Sequence, residues 1–80
     1  MHKLNIFLKV EQNIARLNYL LTLYKMSVEE LLVMSSRGLT KLLTKEDIFS
    51  SEINLSHLKR IDKIFNKGLN FYLDPKNPEI

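Results

Sequence analysis

Apolar residues recur at helical spacing over most of this chain. Between Asn5 and Tyr24, Ile14, Leu17, Leu21 and Tyr24 form one stripe, and Val10, Leu20 and Leu23 widen it. That period predicts a long first helix with Arg16, Asn18 and Thr22 on its polar side. The stretch Leu4 to Val10 departs from a single stripe, because five of its seven residues (Leu4, Ile6, Phe7, Leu8, Val10) are apolar. A helix apolar on several sides has to be covered, either by the domain's own core or by another surface. Leu4, Phe7 and Leu8 are therefore candidates for a dimer or interdomain contact.

The punctuation between apolar runs divides the rest. Ser27-Val28-Glu29-Glu30 reads as a capping box, in which the Ser27 hydroxyl and the Glu30 carboxylate would each accept from the other residue's backbone N–H. Met26 and Leu31 stand at the two ends of a hydrophobic staple. The second helix is expected over Val28–Arg37, burying Leu31 and Leu32 with Met34 as a further candidate, and with Gly38 as the left-handed residue beyond its end. Leu39-Thr40-Lys41-Leu42-Leu43 fits either a helix start or an apolar loop over the core. Thr44 caps a short helix expected from Lys45 to Ser50, anchored by Ile48 and Phe49, with Glu46 and Asp47 where the helix dipole favours acids. Asn54 caps a fourth helix, Leu55 to Lys67, with a stripe of Leu58, Ile61 and Phe65 and with Lys59, Arg60, Asp62, Lys63 and Lys67 outward. Gly68 is its expected stop, with Leu69 touching Ile64. A last short helix or turn holds Leu69, Phe71, Tyr72 and Leu73. No stretch alternates with period two for long enough to predict a strand. The expected fold is all-α, a compact bundle of four to five short helices spanning residues 1–74, with 75–80 as a tail or linker after Asp74-Pro75.

Composition narrows what such a bundle does. Eighty residues make one domain, and with 45% hydrophobic residues and only two Gly and two Pro the chain is of globular type. There is no cysteine, which excludes disulfides and thiol chemistry. No apolar run approaches the roughly 18 residues that span a bilayer. Lys9 interrupts the apolar start and no small-residue cleavage site follows, so no signal peptide is expected and the cytoplasm is the default location. The net charge is +3, and it is unevenly distributed. Lys3, Lys9, Arg16 and Lys25 face only Glu11 in the first 25 residues, the middle is acidic, and residues 55–80 are basic again.

The helix order, with Met26-Ser27-Val28-Glu29-Glu30-Leu31 opening the second helix and Leu55-Ser56-His57-Leu58-Lys59-Arg60-Ile61-Asp62-Lys63-Ile64-Phe65 closing the core, resembles the lambda-repressor-like (XRE) helix-turn-helix family. The C-terminal half, Ile61-Asp62-Lys63-Ile64-Phe65-Asn66-Lys67-Gly68-Leu69 with Phe71-Tyr72-Leu73-Asp74-Pro75, is similar to the N-terminal region of ImmA/IrrE-type proteins of Gram-positive bacteria and their mobile elements. In those proteins the domain precedes a zinc peptidase. The peptidase would need an HExxH helix; His2 and His57 are the only histidines and neither begins one, so enzymatic activity is not expected within these residues. No cofactor, metal or small-molecule substrate is expected either.

The resemblance implies DNA binding, and the third helix departs from it. Lys45-Glu46-Asp47-Ile48-Phe49 leads with carboxylates, which oppose the phosphate attraction that supplies most DNA affinity. An alternative register over Ser35–Leu43 offers Ser36, Arg37, Thr40 and Lys41 as base or phosphate contacts but contains Gly38. Lys59, Arg60 and Lys63 would support on phosphates, although the same residues read first as an ordinary solvated helix face. Two functions follow. One is a helix-turn-helix-like regulatory module that binds DNA and forms the N-terminal part of a longer regulator. The other is a protein-interaction or dimerisation module in which the helix-turn-helix is degenerate. The partner is then DNA or a protein, a homodimer included, and not a membrane.

Overall fold

The structure is a computed structural model that describes residues 8–78. Five helices and one small sheet follow in the order β1 (Lys9–Glu11), α1 (Ile14–Leu23), α2 (Val28–Ser35), α3 (Lys45–Ile48), β2 (Glu52–Asn54), α4 (Leu55–Phe65) and α5 (Leu69–Leu73). The fold is thus mostly helical, and the all-α expectation is corrected by the sheet. The two strands pair antiparallel with Lys9 opposite Asn54, Val10 opposite Ile53 and Glu11 opposite Glu52. Three residues carry too little alternation to be distinguished from a helical stripe.

The first helix accordingly starts at Ile14, well after the expected Asn5. Asn13 breaks it from what precedes, since its side chain accepts from Ala15 N–H at 3.0 Å as an N-cap. Its buried stripe is Leu17, Leu20 and Leu21, while Leu23 and Tyr24 lie exposed. Arg16 is not on a polar face as expected. Its guanidinium stacks 4.8 Å over the Phe71 ring, donates to the carbonyls of Phe71 and Lys76, and lies 3.5 Å from Asp74. Asn13 also donates to the carbonyls of Asp74 and Lys76, so chain packing continues past Asp74-Pro75, where it was expected to end.

α1 closes with a Schellman turn. Lys25 N–H bonds the Thr22 carbonyl at 3.2 Å and Met26 N–H bonds the Leu21 carbonyl at 2.9 Å. Lys25 supplies the left-handed residue, with φ of 54°, a conformation that costs a residue with a Cβ roughly 1–2 kcal/mol. Lys25→Gly is therefore expected to stabilise the domain by about 1 kcal/mol in a denaturant melt. An unchanged or lower midpoint would show that the lysine side chain compensates.

α2 begins at its capping box, with Ser27 N–H to Glu30 Oε1 at 2.8 Å and Glu30 N–H to Ser27 Oγ at 3.1 Å. It ends at Ser35, two residues before the expected Arg37. There the Ser35 and Ser36 hydroxyls donate back to the carbonyls of Leu31 and Leu32 at 2.7 and 2.6 Å, and such back-bonding competes with helix propagation. Residues 39–43 are loop, with Leu43 buried.

α3 starts at a second capping box, Thr44 N–H to Asp47 Oδ2 at 2.8 Å and Asp47 N–H to Thr44 Oγ1 at 3.2 Å, and stops at Ile48 rather than Ser50. The Thr44 backbone bond holds the Asp47 carboxyl below the ordinary aspartate range. A carboxyl lowered in the folded state stabilises it above the unfolded value near 3.9 and loses that contribution as pH falls further. Asp47→Asn is thus expected to flatten the loss of stability on acidification below about pH 4. Identical acid melts for the two proteins would show that the box contributes nothing.

α4 ends at Phe65, with Asn66 in the left-handed region at φ of 58°. The expected stop at Gly68 is displaced because Asp62 Oδ1 takes the N–H groups of Lys67 and Gly68 at 2.8 and 2.9 Å. Gly68, with φ of 88°, instead opens α5. The core gathers Leu17 and Leu20 of α1, Leu31 of α2, Ile48 of α3, Ile53 of β2, and Leu58 and Ile61 of α4 around Tyr72 of α5.

Candidate interaction surface

The end of α2 packs against α4, and one residue of α4 makes that joint. Arg60 Nη1 donates to the carbonyls of Ser35 at 3.2 Å and Arg37 at 2.7 Å. It satisfies carbonyls that the end of α2 leaves open and puts a cation at the negative end of the helix dipole. Arg60 was expected on the phosphate-contacting face; its guanidinium is instead part of the fold.

Beside this joint lies a cleft of about 780 Å³, lined by Met34, Ser35, Arg37 and Gly38 on one wall and by Lys59, Arg60, Lys63 and Ile64 on the other. Lys59 and Lys63 stand one helical turn apart on α4, both exposed, facing the exposed Arg37. Among the described residues no carboxylate pairs with any of these three cations; the one ion pair there is Arg16–Asp74. The acid nearest in sequence, Asp62, turns its Oδ1 to Tyr72 and to the backbone of residues 67 and 68. The cleft therefore keeps an uncompensated positive edge over an apolar lining of Met34 and Ile64.

Of the residues expected to contact DNA, the structure brings Arg37, Lys59, Arg60 and Lys63 together. Thr40 and Lys41 are exposed on the loop but do not line the cleft. Ser36 is buried, 4% exposed, and its Oγ is occupied by the Leu32 carbonyl and the Leu43 N–H; that overturns its expected role as a base or phosphate contact. The helical register over Ser35–Leu43 does not form. Nine residues, 36–44, separate α2 from α3, against the roughly three or four of a helix-turn-helix turn. The four-residue α3 that follows carries Glu46 and Asp47 in its first turn.

Hydrophobic exposure is the feature that sequence periodicity missed. Val33 is 57% exposed, Met34 37%, Leu39 40% and Leu42 65%. All four sit on the last turns of α2 or on the loop that folds back upon it, tied there by Leu39 N–H to the Ser36 carbonyl and Leu43 N–H to Ser36 Oγ. Leu39 and Leu42 were legible as apolar, but nothing in the pattern separated them from the buried Leu43.

Of the proposed dimer contacts, Leu4 and Phe7 lie outside the described residues. Leu8 is exposed, and its carbonyl accepts from Leu55 N–H at 2.8 Å, which places it beyond the end of β1 and not on a helix. A second concavity, about 830 Å³, runs along α1 between Tyr19, Leu23 and Pro78 and carries no charged side chain. No helix among the described residues is long and apolar enough to cross a membrane. Comparison with family models, with curated proteins and with solved structures gave no match.

Proposed function

We propose that this domain is a protein-interaction module, with the end of α2, its following loop and the α2–α4 cleft as the docking surface. The observation that carries this reading is the exposure of Val33, Met34, Leu39 and Leu42 on one segment of chain. Single exposed apolar residues are ordinary, whereas four on adjoining turns beside a polar rim are typical of a surface covered by a partner. A DNA-reading surface has little use for them, because sequence is read by side chains carried into the major groove by a helix. The segment that would do so is a loop, and the helix after it is one turn long and led by acids. This reading corresponds to the second function considered from the sequence, an interaction module with a degenerate helix-turn-helix.

The cations Arg37, Lys59 and Lys63, which pair with no carboxylate among the described residues, favour a second reading, contact with DNA phosphates. A titration with random-sequence duplex DNA separates the two. The docking reading expects affinity weaker than about 0.1 mM at physiological salt, where dedicated non-specific binders reach about 10⁻⁴ to 10⁻⁶ M. Micromolar affinity that falls steeply with salt and is lost in Lys59→Ala/Lys63→Ala would establish the DNA reading instead.

A further inference from the structure

We infer that the partner segment is an acidic amphipathic helix, its carboxylates in the α2–α4 cleft and its apolar face on Val33, Met34, Leu39 and Leu42. The inference rests on the docking reading and adds the chemistry of the partner to it.

The charge of the partner follows from the cleft. Arg37, Lys59 and Lys63 converge with no carboxylate of the described chain to neutralise them. The carbonyls of Ser35 and Arg37, which would otherwise attract a cation to the end of α2, are taken up by Arg60. What remains open to solvent is positive on both walls. A basic partner is repelled there, and a carboxylate entering between Lys59 and Lys63 meets two cations one turn apart. The volume, about 780 Å³, lies within the range of pockets that take whole small ligands, roughly 300–1,000 Å³, so it has room for several side chains.

The conformation of the partner follows from the backbone. A strand docks by bonding to open N–H and C=O groups, and at the cleft wall formed by the end of α2 the carbonyls of residues 32–37 are already taken up. The N–H groups of Ser36, Arg37 and Leu39 bond to the carbonyls of Leu32, Met34 and Ser36. Leu43 N–H bonds to Ser36 Oγ, and Arg60 takes the carbonyls of Ser35 and Arg37. At the cleft recognition is left to side chains, apolar ones beside charged ones. That suits a helix, which satisfies its own backbone and presents an apolar stripe with flanking charges.

The test uses two fluorescent peptides of about four helical turns, each with leucines at i, i+3, i+4 and i+7. One carries glutamates on the flanks of the stripe and the other carries lysines. Anisotropy titrations at about 150 mM salt, where the Debye length is about 8 Å, are expected to show the acidic peptide binding at least about tenfold more tightly. Lys63→Glu should weaken that binding about three- to tenfold, and Leu42→Asp should weaken it as well. Both sites are exposed, so an unchanged melting temperature is expected to accompany the loss. Equal binding of the two peptides would overturn the acidic partner while leaving protein docking in place. No binding of either peptide, together with tight salt-sensitive binding of duplex DNA, would overturn both.

Discussion

Asp62→Ala is expected to destabilise the domain by about 3 kcal/mol, a large effect for a residue outside the apolar core. One oxygen of this side chain, Oδ1, accepts three hydrogen bonds: Lys67 N–H at 2.8 Å, Gly68 N–H at 2.9 Å and the Tyr72 hydroxyl at 2.8 Å. The two N–H groups lie in an exposed turn and find water when the carboxylate is removed. The Tyr72 hydroxyl does not, because Tyr72 is fully buried. A buried donor left without a partner costs about 1–3 kcal/mol, and bonds to a charged acceptor are worth about 1.5–3 kcal/mol. Burial and the Asp62 bond both push the Tyr72 phenol above its ordinary value, so it stays protonated as the donor.

The effect is large against the whole. A chain of this size has a net stability of about 4–12 kcal/mol, and the Asp62 turn sets the direction of α5. Through α5 it sets the Tyr72 carbonyl, which accepts from Asn13 N–H at 2.7 Å at the start of α1. Tyr72→Phe removes the donor but leaves Asp62 with its two backbone bonds, so about 1 kcal/mol is expected. Asp62→Asn keeps an oxygen acceptor and should fall between the two. A denaturant midpoint for Asp62→Ala within error of the parent would show that the turn does not depend on this side chain.

Gln12→Ala is expected to cost about 3 kcal/mol. Gln12 is 6% exposed and joins the entry of α1 to the chain between α3 and β2. Its Nε2 donates to the carbonyls of Ile48 at 2.7 Å and Ser50 at 2.9 Å, and its backbone N–H donates to the Ser51 carbonyl at 2.7 Å. Truncation leaves a cavity and takes the donor from the Ile48 carbonyl. Gln12→Leu fills most of the volume and also removes Gln12 Oε1, which is buried without a hydrogen-bond partner among the described residues. It should therefore cost less, about 2 kcal/mol. Equal costs for the two variants would mean that volume, not the amide, holds the joint. Hydrogen exchange at Ile53 N–H should accelerate in both, because the β1–β2 pairing depends on the same junction.

The capping signals were the most legible part of the sequence. Ser27-x-x-Glu30 forms the reciprocal box read from its spacing, and Thr44 caps α3 as expected, with Asp47 closing an unexpected second box; such caps are decided within four residues and owe little to tertiary context. The stripe Leu58, Ile61 and Phe65 is buried for a similar reason, being repeated over three turns of α4. The failures lie where distant chain decides. Lys9–Glu11 becomes a strand because Glu52–Asn54 is there to pair with it, and three residues cannot announce a partner some 40 positions away. Asn66, not Gly68, ends α4 because the Asp62 carboxylate captures the next two N–H groups.

At the candidate surface the same division holds. The cations of α4 could be placed on its outer face from helical spacing alone. That Arg60 would turn to the carbonyls of Ser35 and Arg37 could not, since it depends on where α2 stops. Nor could the exposure of Leu42 beside the burial of Leu43, because neighbours in an irregular loop obey no period.

The most direct test of protein docking at this surface is an amide chemical-shift map of the labelled domain, titrated in parallel with the acidic amphipathic peptide and with duplex DNA. The expected result is that the peptide moves residues 33–43 and 59–64 and leaves α1 and α3 in place, while the duplex moves little at physiological salt. Shifts induced by the duplex around Arg37, Lys59 and Lys63 at physiological salt, with the peptide silent, would contradict the docking reading and return the chain to DNA recognition.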